Sequence, residues 1–147
     1  MIRRPLAAVL LLALLCAGCG VRASRVISGV SGPTVPAIGA AFYLVRDGKL
    51  TMVTRSQSSN DIATALTLLA SDVSAEEAAQ GFTTEVPRSA APIGFAMGAG
   101  GVATVSLAIP PTALSAMATN QIACTARTGV SLTGGGVTTR PVYCPGR

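Results

Sequence analysis

Cysteine is the residue type in this chain whose number and spacing could direct chemistry. Cys16 and Cys19 lie close together near the N-terminus, and Cys124 and Cys144 lie near the other end. A thiol can be acylated, oxidised to a disulfide, bound to a metal or used as a nucleophile, and the last two uses need partner residues. The chain contains no His, which removes Cys–His dyads, Ser–His–Asp triads and imidazole metal sites. Cys124 and Cys144 therefore lack a third ligand, and we expect no metal. An even pair of cysteines in an oxidising compartment is expected to form a disulfide. A Cys124–Cys144 bond closes a loop of about 21 residues and should stabilise the fold by about 3 kcal/mol on the chain-entropy account.

The compartment follows from the N-terminus. Arg3 and Arg4 precede an apolar run over residues 6–15, LAAVLLLALL, and small residues follow at Ala17 and Gly18. Ten helical residues rise about 15 Å, half of a membrane core of about 30 Å, so the run is too short to span. It has the length of a signal-peptide core. The run Leu15-Cys16-Ala17-Gly18-Cys19 resembles the bacterial lipobox, in which cleavage falls before a cysteine that carries a diacylglyceryl group. The usual Leu three places before the acceptor is Cys16 here. We therefore expect residues 1–18 to be a lipoprotein signal peptide and Cys19 to carry the lipid anchor, on the outer face of the cell membrane. Two acyl chains on one residue suffice for stable anchoring. Cys16 leaves with the signal. Eleven basic residues less Arg3 and Arg4 leave nine against six acids, a scattered charge of +3 that gives no support for nucleic-acid binding.

The other chemistry-bearing residues have simpler explanations. Asp47 belongs to an Asp-Gly turn, Asp61 is placed to cap a helix, and Glu77 completes a capping box with Ser74. Asp72, Glu76 and Glu85 could supply a carboxylate pair for glycan hydrolysis, but solvated carboxylates are the norm. Ser56, Ser106 and Ser115 have no Gly-x-Ser-x-Gly elbow and no base. The glycines at 98, 100 and 101 and at 134–136 precede no Lys-Ser or Lys-Thr helix start, so hairpin turns are favoured over phosphate loops. Met52, Met97 and Met117 fall on separate elements and are expected to fill the core rather than bind copper. No catalytic residue, metal or cofactor is expected.

Residues 19–39 are rich in Gly, Ser, Pro and Val without a sustained period and are expected to form a tether. Twenty flexible residues would hold the domain about 25 Å from the bilayer. The domain proper is expected over 40–147. Strands are predicted over 41–45 and 50–54 around Asp47-Gly48, and a helix from Asn60 or Asp61 to Ala70 with Ile62, Ala65, Leu66 and Leu69 on one face. A short helical turn begins at Ser74 and ends at Gly81. After an extended stretch over 82–86, strands are predicted at 93–97 and 102–107. Pro110-Pro111 is expected to open a helix over about 112–127 whose face carries Leu114, Met117, Ala118, Gln121, Ile122 and Cys124. Strand material over 130–143, broken by three glycines, completes a ββαββαβ order. This order predicts an α+β fold: a mixed β-sheet of five to six strands with two main helices packed on one face.

Four segments in this order resemble a GerMN domain, the sporulation and spore-germination module of bacterial envelope lipoproteins. They are Phe42-Tyr43-Leu44-Val45-Arg46-Asp47-Gly48-Lys49-Leu50, Ala65-Leu66 with Leu68-Leu69-Ala70, Gly101-Val102-Ala103-Thr104-Val105, and Gln121-Ile122 with Gly129-Val130. The resemblance covers about residues 41–143, and the combination of signal and domain is similar to actinobacterial lipoproteins. Departures are Ser71-Asp72 where the family often has Gly-Pro, Ser106 where Asp is common, and Cys124 and Ala126 where larger residues are usual. The resemblance implies a mixed sheet with helices against it, attachment to the outer face of the cytoplasmic membrane, and no catalytic residues. The leading expectation is a non-enzymatic interaction or scaffolding module that binds an envelope protein or another copy of itself. The alternative is a binder of a small ligand or cell-wall glycan.

Overall fold

A computed structural model describes residues 39–57 and 59–146. The expected leader, the lipidation position Cys19 and the tether up to residue 38 lie outside the described residues.

The first element is a hairpin. Strand β1 (Gly39–Arg46) and strand β2 (Lys49–Ser56) pair antiparallel from Gly39 opposite Ser56 to Arg46 opposite Lys49. The turn needs two positive φ angles, which Asp47 (51°) and Gly48 (69°) supply, as a type I′ connection demands. Ala40, Phe42 and Leu44 alternate onto the buried face.

Helix α1 (Ile62–Leu69) begins at Asp61, whose carboxylate accepts a hydrogen bond from the Thr64 backbone N–H at 2.7 Å. Ala65, Leu66 and Leu69 are buried, which confirms the predicted face. Helix α2 (Ala75–Ala79) carries the predicted capping box: the Glu77 N–H donates to Ser74 Oγ, and the Ser74 N–H donates to Glu77 Oε2. Gly81 follows with φ of 79° and turns the chain into Phe82.

A second sheet follows, built from β3 (Gly94–Met97), β4 (Val102–Ser106), β5 (Gly129–Gly134) and β6 (Val137–Thr138), in that spatial order. The β3–β4 and β5–β6 pairs are antiparallel and β4–β5 is parallel, so the sheet is mixed. The parallel pair requires a crossover, and helix α3 (Ala116–Ala126) supplies it. Val142 adds a further bridge to Val130 on β5. One core joins Phe42 and Leu44 of β1, Leu66 and Leu69 of α1, Val105 of β4, Ile122 of α3, and Val130 and Leu132 of β5.

The α+β class holds, with three corrections in detail. The six strands fall into two sheets rather than one. Helix α3 starts at Ala116, capped by Ser115, rather than near Thr112. Pro111–Ala113 form a separate 3₁₀ turn, and Leu114 at φ −84°, ψ 143° interrupts the helix. Met52 and Met97 are 57% and 60% exposed rather than core-filling, because both lie on outer strands of their sheets, Met97 at the last position of β3.

The outer edge of β1 meets an isolated bridge rather than a strand. Val45 and Thr83 exchange both backbone hydrogen bonds, at 2.9 and 2.8 Å. Continued in antiparallel register, that ladder would next pair Tyr43 with Glu85. Instead, the Gln121 carboxamide stands between them. Its Nε2 donates to the Tyr43 carbonyl at 3.0 Å, and its Oε1 accepts from the Glu85 N–H at 2.7 Å. Four residues along α3, Thr125 Oγ1 accepts the Tyr43 N–H at 3.1 Å. Both side chains are buried, at 0% and 1% exposure. The i, i+4 spacing aims them at the same strand. A helix side chain thus closes the β1 edge where a neighbouring strand would otherwise continue.

Candidate functional site

The outer strand of the hairpin forms the floor of the larger hollow. A cleft of about 470 Å³ runs beside Met52, Val53, Thr54, Arg55 and Ser56 of β2, and its wall is α2 with Ser74, Glu76, Glu77 and Gln80. The two sides are tied by Arg55. Its Nε donates to Glu77 Oε1 at 3.0 Å, its Nη2 meets Glu77 Oε2 as well, and Nη2 also reaches the Asp72 carbonyl at 3.3 Å. The guanidinium lies 5.2 Å from the centroid of the Phe42 ring, within cation–π range.

Charge in the cleft is fixed by this arrangement. The bidentate hydrogen bond from Arg55 lowers the Glu77 pKa from its ordinary 4.5, overcoming partial burial, and the Ser74 N–H lowers it further. Glu77 is thus held ionised, the opposite of what a general acid for glycan cleavage needs. Glu76, next to it, gives the wall a second negative charge.

The candidate carboxylates do not converge. Asp72 accepts from Arg88 Nε at 2.8 Å and forms an exposed ion pair with it. Glu85 accepts from Ser115 Oγ at 3.3 Å, near the start of α3. Among the described residues, no three His, Cys, Asp or Glu side chains stand together as a metal set.

Cys124 and Cys144 stand at disulfide distance, with Cα atoms 4.5 Å apart. Their link joins buried α3 to the C-terminal segment that bridges β5 through Val142. Beside it lies a smaller hollow of about 190 Å³, lined by Arg127, Thr128, Gly129, Tyr143 and Cys144. The Tyr143 ring covers Gly129 so closely that an added Cβ there would meet Cε1 at 2.5 Å. Both glycine clusters serve as turns, with Gly100, Gly101, Gly135 and Gly136 at positive φ.

Sequence reasoning missed Gln121 and Thr125 as polar clamps, because Gln121 counted only as one member of an apolar face. A Gln and a Thr four apart within a run otherwise of Ile, Ala and Cys was the available signal. Arg55, the link between strand and cleft wall, carried no signal of its own. Among the described residues no helix is long and apolar enough to cross a membrane. Comparison with known proteins finds no match to this chain among family models, curated proteins or solved structures.

Proposed function

We propose that this chain is a lipid-anchored extracytoplasmic lipoprotein whose single GerMN-like domain is a non-enzymatic interaction module in the cell envelope. The observation that carries the reading is the Cys124–Cys144 pair at disulfide distance. Such a bond persists in an oxidising compartment, which is where a leader cleaved before Cys19 would deliver the domain. The ionised, Arg-bound state of Glu77 and the dispersal of Asp72 and Glu85 favour binding over catalysis.

Mass spectrometry of the full chain from membranes tests the address. The expected result is a lipidated N-terminal Cys19 and a Cys124/Cys144 peptide pair two hydrogens light. Persistent reduction of both thiols in a cytosolic pool would overturn it. Cross-linking in intact cells tests the role and should recover an envelope protein or a second copy. The cleft beside β2 favours a second reading, binding of a small ligand or glycan fragment. Titration with peptidoglycan fragments should then show saturable binding that Glu76→Gln alters, and flat titrations would remove it.

A further inference from the structure

The two edges of the hairpin differ in their hydrogen bonding. Tyr43 and Val45 direct their backbone groups away from β2, so Phe42, Leu44 and Arg46 bond to Val53, Thr51 and Lys49. The alternation then turns the N–H and C=O groups of Leu50, Met52, Thr54 and Ser56 outward. No described residue takes these groups. Among the described residues they form a bare edge of four outward residues on a two-stranded sheet, and Met52, Thr54 and Ser56 of it lie along the floor of the cleft. Such an edge is a template for another strand.

We propose that β2 pairs antiparallel with β2 of a second copy of this chain, about a two-fold axis at Val53, to make a continuous four-stranded sheet. This rests on the interaction-module reading and names its partner surface. The register follows from the outward groups: Met52 faces the second copy's Thr54, Leu50 faces its Ser56, and the converse pairs follow by symmetry. All four outward residues of each chain are then used, in about eight backbone hydrogen bonds. Charge selects the same orientation. Lys49 lies exposed at one end of the edge, and Glu76 lies on the wall near the other, where Arg55 already neutralises Glu77. Antiparallel pairing turns each Lys49 toward the other copy's acidic end, twice per dimer. Met52, 57% exposed in one copy, becomes a diagonal neighbour of its symmetry mate across the axis. The contact is isologous and closes at two copies. Along β1, Gln121, Thr125 and Thr83 occupy the outward groups of Tyr43 and Val45, so that half of the opposite edge cannot take a further strand.

The test uses the full chain in its native membrane. Directly opposed non-hydrogen-bonded residues in antiparallel strands have Cα atoms about 4.5 Å apart, within disulfide reach. Val53→Cys should therefore give a disulfide-linked dimer under mild oxidation. Val137→Cys, exposed on β6, serves as the collision control. Met52→Pro removes an outward N–H at the centre of the contact without touching the β1 ladder, and should cut the Val53→Cys dimer at least about tenfold. Sedimentation of the unaltered full chain in detergent gives a measure that does not depend on introduced cysteines. A dimer mass that Met52→Pro halves supports the pairing. A monomer mass at all concentrations overturns it, as does cross-linking of Val53→Cys no greater than that of Val137→Cys. Capture of a different envelope protein through β2 would sink the self-pairing and leave the module reading intact. Absence of Cys19 lipid from the membrane fraction would sink the module reading by a separate measurement.

Discussion

Strands β1 and β2 are each eight residues long and share one register, yet their outer edges end differently. The β1 edge is closed at Tyr43 and Val45, where a wedge from α3 stands. Gln121 and Thr125 substitute for a strand, and Thr83 supplies the remaining bridge. The β2 edge faces an open cleft with a charged wall. Closing an edge with buried side chains gives a unique structure, since each buried polar group must find its partner or incur a large desolvation penalty. An edge left bare at the surface can hydrogen-bond to water at little energetic cost and remains available for a partner. The stability of this domain therefore depends on the first edge, and the proposed pairing with a second copy on the second.

Breaking the closed edge should have the largest effect. Replacing Gln121 by Leu and Thr125 by Val together keeps most of the volume and orphans the Glu85 N–H and both backbone groups of Tyr43. The expected destabilisation is about 4 kcal/mol, read as a lowered urea midpoint with little change in slope. A loss under about 1 kcal/mol would show that water replaces the clamp. The Cys124–Cys144 link comes next, since it fixes the end of α3 that carries Thr125. Cys124→Ser with Cys144→Ser, or reduction of the native chain, should lower stability by about 3 kcal/mol.

The wall of the open edge should matter less. Glu77→Ala removes half of the capping box and the partner of Arg55, for an expected loss of about 1.5 kcal/mol. The sign of its pH dependence is fixed. Because the folded pKa lies below the ordinary 4.5, the Glu77 contribution is full above that value and fades as pH falls through the folded one. Urea melts at pH 7 and at pH 3 should therefore differ less for Glu77→Ala than for the unaltered chain. Asp61, lowered chiefly by the Ser59 hydroxyl and then by the Thr64 N–H, shifts in the same direction and contributes in both proteins. The smallest effect belongs to the Arg88–Asp72 pair, whose side chains are 72% and 68% exposed. Asp72→Asn should change stability by about 0.3 kcal/mol and lose even that in high salt. A loss comparable with that of Glu77→Ala would mean that the two ion pairs are not distinguished by burial.

The legible parts of the fold were those set by near neighbours. Asp47-Gly48 specified its turn, Ser74 and Glu77 their capping box, Asp61 its helix start, and Ala65, Leu66 and Leu69 the buried face of α1. The start of α3 was misjudged because Pro110-Pro111 suits a helix entry, whereas Ser115 offers the better cap five residues later. Met52 and Met97 were misplaced because hydrophobicity alone does not reveal which strand ends up at the rim of a sheet. In the candidate site, the acids of α2 could be read from the sequence, but their relation to β2 could not. Arg55 and Glu77 are 22 residues apart, and only the packing of α2 against the hairpin brings them together.

The sequence by itself determined the short-range elements and the cysteine parity that limits the chemistry, because these depend on residues a few places apart and on simple counting. The tertiary structure alone decided that Tyr43 and Glu85 would be held apart by a helix carboxamide 78 and 36 residues away from them in the chain. It alone decided that Tyr43 and Val45 of β1 would be filled, while no described residue takes the outward groups of β2. Hydrogen-bond satisfaction in a buried interior is settled among groups that meet only once the chain has folded, and no local pattern records which groups those will be.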